Sequence, residues 1–141
     1  MANSSTTWHR SGPRVRDYWR GRESSWRRQR LLVRDPSGWA HGYDRVRFFT
    51  RYDYARLWVA QKGLCGVCDK PLKGLRTESI AGYGEVGVGR GIDPDHSHSH
   101  GLVRALVHGR CNRAVGLLDS HQALLVLNYL LKHERAMEET K

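Results

Sequence analysis

The sequence predicts a small α+β domain clamped by a zinc ion, with a basic arm at its N-terminus and a helix at its C-terminus. Three observations predict it: a length of 141 residues, two short cysteine-bearing knuckles that bracket a stretch of strand and turn composition, and an Arg/Trp-rich first third. A chain of 16.2 kDa builds one core, and a hydrophobic fraction of 39% with a mean hydropathy of -0.65 makes that core small for its length. A large enzyme fold is excluded. No run of about 18 apolar residues occurs, and residues 1–12 lack the apolar core of a signal peptide. The chain therefore reads as intracellular, with no membrane partner.

The formal net charge is +10, and it is uneven. Residues 1–51 hold twelve arginines and no lysine against four acids, Asp17, Glu23, Asp35 and Asp44, whereas the remaining residues are nearly balanced. A polyanion is the expected partner. Nucleic acid is favoured over an anionic membrane surface, because no segment combines the charge with an amphipathic helical face.

Residues 1–50 read as the arm and residues 51–141 as the domain. The arm carries Trp8, Trp19, Trp26 and Trp39 among arginines and breakers such as Gly12-Pro13, Gly21, Asp35-Pro36 and Gly42. No helical or strand period is sustained there; only residues 27–34 suggest a short helix or strand. Tryptophan with arginine suits stacking on bases with phosphate pairing, and the rival reading is a tail or partial packing against the domain.

Residues 53–62 predict a helix with Tyr54, Leu57 and Trp58 on its inner side and Gly63 as its stop. Six glycines within residues 74–91 predict a loop or loose hairpin. Residues 92–100 and 102–107 predict two strands joined through Gly101, and a helical pattern begins at Asn112. Asp119-Ser120-His121-Gln122 has the form of a capping box before a helix over 123–135. On that helix Leu124, Leu127 and Leu131 line one face, and Leu125, Val126, Tyr129 and Leu130 widen it beyond a single stripe. Such a helix needs more than one neighbour.

Three cysteines cannot close a disulfide framework. Their spacing is Cys65-x2-Cys68, then 39 residues, then His108-x2-Cys111. Two knuckles give four ligands, and a Cys3His set matches the tetrahedral preference of structural zinc. A redox dithiol or a pair of buried thiols fits the first knuckle alone; the second favours zinc. The gap exceeds the roughly 15 to 20 residues of a simple ribbon, so the metal would clamp the base of an inserted hairpin and supply much of the folding free energy.

Between the knuckles His96, His98 and His100 alternate with serine, which in a regular strand aims all three imidazoles to one side. An exposed polar strand or a metal-sequestering His tract would explain that segment alone. Asp95 before them and Asn112 after the last zinc ligand add two hard oxygen ligands suited to magnesium. A histidine beside them can take a proton from water near neutral pH.

The segment from Tyr54 to about residue 133 resembles the phage recombination endonuclease VII family, within the HNH or ββα-metal (His-Me finger) nucleases. The matching residues are Gln61, Gly63, Cys65 and Cys68, then Asp95-His96-x-His98-x-x-Gly101-x-x-Arg104, then His108-x-x-Cys111-Asn112-Arg113-Ala114-x-Gly116-Leu117-Leu118, and Asn128-Tyr129-Leu130. The resemblance implies a metal-dependent DNA endonuclease, with Asp95 and Asn112 holding a catalytic magnesium or manganese ion and His96 as general base. It implies that His98 binds the scissile phosphate or orients its neighbours, and that the protein is a homodimer. Arg104, Arg110 and Arg113 are the candidate phosphate contacts, and branched or recombination-type DNA is the candidate substrate. Three departures stand out. His108 occupies a position usually held by Cys, Ala105 stands where Gly is usual, and the glycine-rich insertion and the arm lie outside the resemblance. The alternative is a non-catalytic zinc-stabilised nucleic-acid-binding module, which leaves the joint placement of Asp95, His96 and Asn112 to chance.

Overall fold

The computed structural model describes residues 13–35, 45–119 and 121–140. The chain begins with helix α1 (Pro13–Arg28), and strand β1 (Leu32–Arg34) follows and pairs antiparallel with β2 (Val46–Phe48). Helix α2 (Arg51–Ala60) leads through the first knuckle to the hairpin β3 (Arg76–Ile80) and β4 (Gly84–Val88). A second hairpin, β5 (Ile92–His96) and β6 (Val103–His108), runs directly into α3 (Gly109–Leu118), and α4 (His121–Glu139) ends the chain. Helix α3 packs against both β5 and β6.

The arm departs most from expectation. Pro13 stands at the first position of α1, where a missing N–H costs nothing, and the helix runs through Gly21. Trp19 and Trp26, seven residues apart, lie on one face of it. Both are buried rather than offered to bases, and they pack with Phe49 and Tyr54 at ring-centroid distances of 4.9 to 6.1 Å. The physical reason is the thin core: each indole or phenol ring buries about 150 to 250 Å², and the domain has few other large side chains to fill its centre. Trp8 and Trp39 lie outside the described residues.

Helix α2 matches the expected span within two residues. Asp53 reaches back to the Thr50 N–H and hydroxyl, both 2.9 Å from Oδ2, and receives both arms of the Arg47 guanidinium at 2.7 and 2.9 Å. One carboxylate thus caps α2 and fixes β2 to it. The Tyr54 hydroxyl donates to the Gly87 carbonyl at 2.7 Å, tying α2 to β4. The glycine-rich insertion is therefore a regular hairpin, with Val86 and Val88 buried beneath α2. Its Gly87 passes so close to Trp58 that a Cβ would stand 2.6 Å from the indole.

Helix α4 is expected over 123–135 behind a capping box that starts at Asp119, and it spans His121–Glu139; Asp119 instead closes α3 as its C-terminal cap, and Ser120 lies outside the described residues. Ala123 is its one buried residue among those described, and Leu124, Leu125, Val126, Leu127, Tyr129 and Leu130 are exposed. The described part of the N-terminal segment packs on the Tyr54 core and leaves this apolar surface open. Among the described residues, no single helix is long and apolar enough to cross a membrane.

Candidate active site and metal cluster

The two knuckles meet. The ligand atoms of Cys65, Cys68, His108 and Cys111 all lie within 4.8 Å of one another, so the four residues can hold a metal ion, and a Cys3His set suits zinc. Local geometry prepares each ligand. His108 Nε2 lies 3.1 Å from the Pro71 carbonyl, an acceptor, so Nε2 carries the proton and Nδ1 keeps its lone pair toward the sulfurs, 3.4 Å from Cys68 Sγ. Burial would raise the Cys65 thiol, but the N–H groups of Cys68, His108 and Val67 outweigh it and bring it down to about 6, favouring the thiolate at neutral pH. Burial and the neighbouring sulfurs push the Cys111 thiol up, a shift that bound metal reverses because it takes the thiolate.

Two polar contacts hold the cluster to the hairpin. The Gln61 amide at the end of α2 donates to Leu64 and Leu106 carbonyls and accepts from the Leu106 N–H, each at 2.8 Å. Gly66 of the first knuckle donates to the Leu106 carbonyl at 3.0 Å. A Cβ on Gly66 would meet that of Ala105 at 2.7 Å. The backbone approach at Ala105 is therefore kept, with the glycine on the facing knuckle.

The expected long strand over 92–100 stops at His96, where the ladder shifts register between Asp95 and His96. A turn follows, in which the Gly101 N–H donates to the Ser97 carbonyl at 2.7 Å and the Ser97 N–H to the Leu102 carbonyl at 2.9 Å. Gly101 has φ of 74°, and a Cβ there would lie 2.7 Å from the Arg30 carbonyl. Its carbonyl accepts from the Leu32 N–H at 2.8 Å. Residues 30–32 of the N-terminal segment thereby brace the histidine turn. The three imidazoles do not share one strand face: His96 and His98 lie with ring centroids 5.2 Å apart, while His100 turns to Ser97 and Ser99.

His98 rests over Gly116 of α3, one turn beyond Asn112 on the same helix face. His96 and Asn112 line one cavity of about 260 Å³ with Asp93. Burial, then the neighbouring His98 and Arg104, hold the His96 imidazole below its usual 6.5, so it is neutral at pH 7. Asp95 is buried and does not line that cavity; its oxygens receive Arg104 Nε and Nη2 at 2.7 and 3.0 Å. Arg104 also reaches the His96 carbonyl at 3.3 Å and Asp119 at 3.4 Å. Its Nε and Nη2 are thus engaged by protein groups. Arg110 and Arg113 instead line a cleft of about 610 Å³ with Lys70 and Lys73 beside the cluster. The two lysines were not singled out in the sequence, although their position just past Cys68 places them on the knuckle.

The recombination endonuclease VII family model matches residues 39–132, more than half of the chain. The chain belongs to that family. Comparison with curated proteins and with solved structures gives no significant match. Membership indicates a nuclease acting on DNA, and the match spans both knuckles, the histidine turn and α3 while leaving α1 outside.

Proposed function

We propose that the protein is a metal-dependent DNA endonuclease of the HNH, or ββα-metal, type, hydrolysing phosphodiester bonds in branched or recombination-type DNA. The observation that carries this reading is the cavity shared by His96 and Asn112 where the β5–β6 hairpin meets α3, next to the Cys3His cluster, in a member of an endonuclease family.

In this reading neutral His96 takes a proton from the water that attacks phosphorus. His98 binds the scissile phosphate or orients His96. Arg104 holds the Asp95 carboxylate outside the cavity that Asn112 lines, and in this reading the carboxylate turns toward Asn112 when a cation binds. A magnesium or manganese ion held by Asp95 and Asn112 would neutralise charge developing on the phosphate and on the leaving 3′ oxygen. Lys70, Lys73, Arg110 and Arg113 receive flanking phosphates in the adjacent cleft. Two copies joined through the exposed α4 surface would present two sites related by a two-fold axis, suited to paired cuts in opposite strands.

Supercoiled plasmid incubated with zinc-loaded protein and magnesium tests the activity, and a synthetic four-way junction tests the preference. Nicked or linear product, formed faster on the junction than on a plain duplex, is expected. Folded protein that binds DNA and leaves it uncut would return the chain to a non-catalytic binding module.

A further inference from the structure

We propose that the polar stripe formed by Arg22 and Ser25 of α1 and by Gln29 just past its end is a phosphate-binding wall of the cleavage cleft, holding the phosphodiester group that faces His96 and Asn112. The proposal rests on the nuclease reading and adds residues that lie outside the stretch matched by the family, residues 39–132.

Arg22 and Ser25, spaced i and i+3, share one face of α1, and Gln29, one residue past its end, stays beside them through its N–H bond to the Ser25 carbonyl at 3.0 Å, while Trp19 and Trp26 are buried. The cavity lined by Asp93, Pro94, His96 and Asn112 is lined as well by Arg22, Ser25, Trp26, Gln29 and Leu31 of the N-terminal segment. At about 260 Å³ it falls below the roughly 300 to 1,000 Å³ of small-molecule pockets. That suits a phosphate group with its ester oxygens better than a whole nucleotide.

The donors on this wall are held in place but incompletely used. Arg22 donates through Nη2 to the Ile92 carbonyl at 3.2 Å, and its guanidinium lies over the rings of Trp26 at 5.3 Å and Tyr18 at 5.9 Å. Its Nε is buried without a partner. Gln29 donates to the Ser25 hydroxyl oxygen at 3.0 Å, which leaves the second amide hydrogen and the hydroxyl hydrogen to donate elsewhere. This wall offers one fixed cation and two neutral donors with no carboxylate among them. Anionic oxygens are the ligands that such a set recognises. The single acid among the lining residues is Asp93.

Single-turnover cleavage of a DNA that the wild type cuts tests the proposal, with zinc content and thermal midpoint measured alongside. Arg22→Ala should slow cleavage about 10²-fold, as removal of a preorganised anion donor does, and Arg22→Lys should recover part of that loss. Ser25→Ala and Gln29→Ala should each cost several-fold. The slope of log affinity against log salt should fall by about one for Arg22→Ala. A methylphosphonate at the cut position should cost the wild type more DNA affinity than it costs Arg22→Ala. If Arg22→Ala loses its fold, the Ser25→Ala/Gln29→Ala double variant decides the matter. Folded variants that cut at the wild-type rate with an unchanged salt slope would overturn the proposal and leave the nuclease reading standing. A zinc-loaded wild type that cuts no DNA would overturn both.

Discussion

Replacing His108 by alanine should release the metal from the Cys3His cluster and unfold the region it clamps. The four ligand atoms lie within 4.8 Å of one another and join residues 65–68 to 108–111, closing a loop that contains both the β3–β4 hairpin and the strands bearing Asp95 and His96. Structural zinc contributes an apparent ~10 to 16 kcal/mol in small domains, against a whole-domain stability of ~5 to 15 kcal/mol. A ten-thousandfold loss of zinc affinity alone is about 5.5 kcal/mol, enough to consume the stability at the lower end of that range. His108→Cys should behave differently. Its thiolate is a shorter ligand, but a zinc–sulfur bond of about 2.3 Å exceeds the 2.0 to 2.1 Å of zinc–nitrogen and makes up part of the reach. Elemental analysis should give about one zinc per chain for the wild type and His108→Cys, and much less for His108→Ala. Circular dichroism should show a cooperative melt in the first two only. If His108→Ala keeps its zinc and melts with the wild type, or if the wild type is folded without metal, the clamp has been misread.

Burial would raise the Asp53 carboxyl, but Arg47 and Thr50 outweigh it and hold it below its usual range; its contribution to stability is therefore complete above the unfolded value near 3.8 and lost as pH falls through the folded value. Asp53→Asn should cost ~2 kcal/mol at pH 7 and reduce the loss of stability on acidification, as read by denaturant melts between pH 7 and 3; equal pH slopes would contradict the assignment. Lys70→Glu/Lys73→Glu should weaken DNA binding and flatten its salt dependence by about two if each lysine meets a phosphate, and an unchanged slope would remove the cleft from the interface. Leu127→Glu, on the exposed surface of α4, should convert a dimer of the wild type to a monomer in light scattering at micromolar concentration; a wild-type mass near 16 kDa would exclude the dimer.

Where local chemistry dictates structure, the sequence was readable. The two knuckles announce their cluster because zinc accepts few ligand types and short fixed spacings. Helix α2 announces itself through Tyr54, Leu57, Trp58 and the stop at Gly63. The strands around Gly101 were also legible, although the break at His96 was not, because it depends on a backbone contact with Arg30 and Leu32 far away in sequence. Helix α1 was hidden by composition. Its apolar signal rests mainly on Tyr18, Trp19 and Trp26, diluted by arginines, serines and Gly21. The seven-residue spacing of the two tryptophans was the available clue, and it marks a buried helix face rather than a row of stacking platforms. The commitment of Arg104 to Asp95 and Asp119 could not be read from spacing at all, since three elements bring those groups together.

In the proposed mechanism His96 is the base in DNA cleavage, on a scaffold that does not need it for folding. The decisive comparison is single-turnover cleavage by zinc-loaded wild type and His96→Ala, at equal zinc content and equal DNA affinity. The wild type should cut with magnesium, and His96→Ala should be slower by a factor on the order of 10² or more. Cleavage by His96→Ala at the wild-type rate would remove His96 from that role.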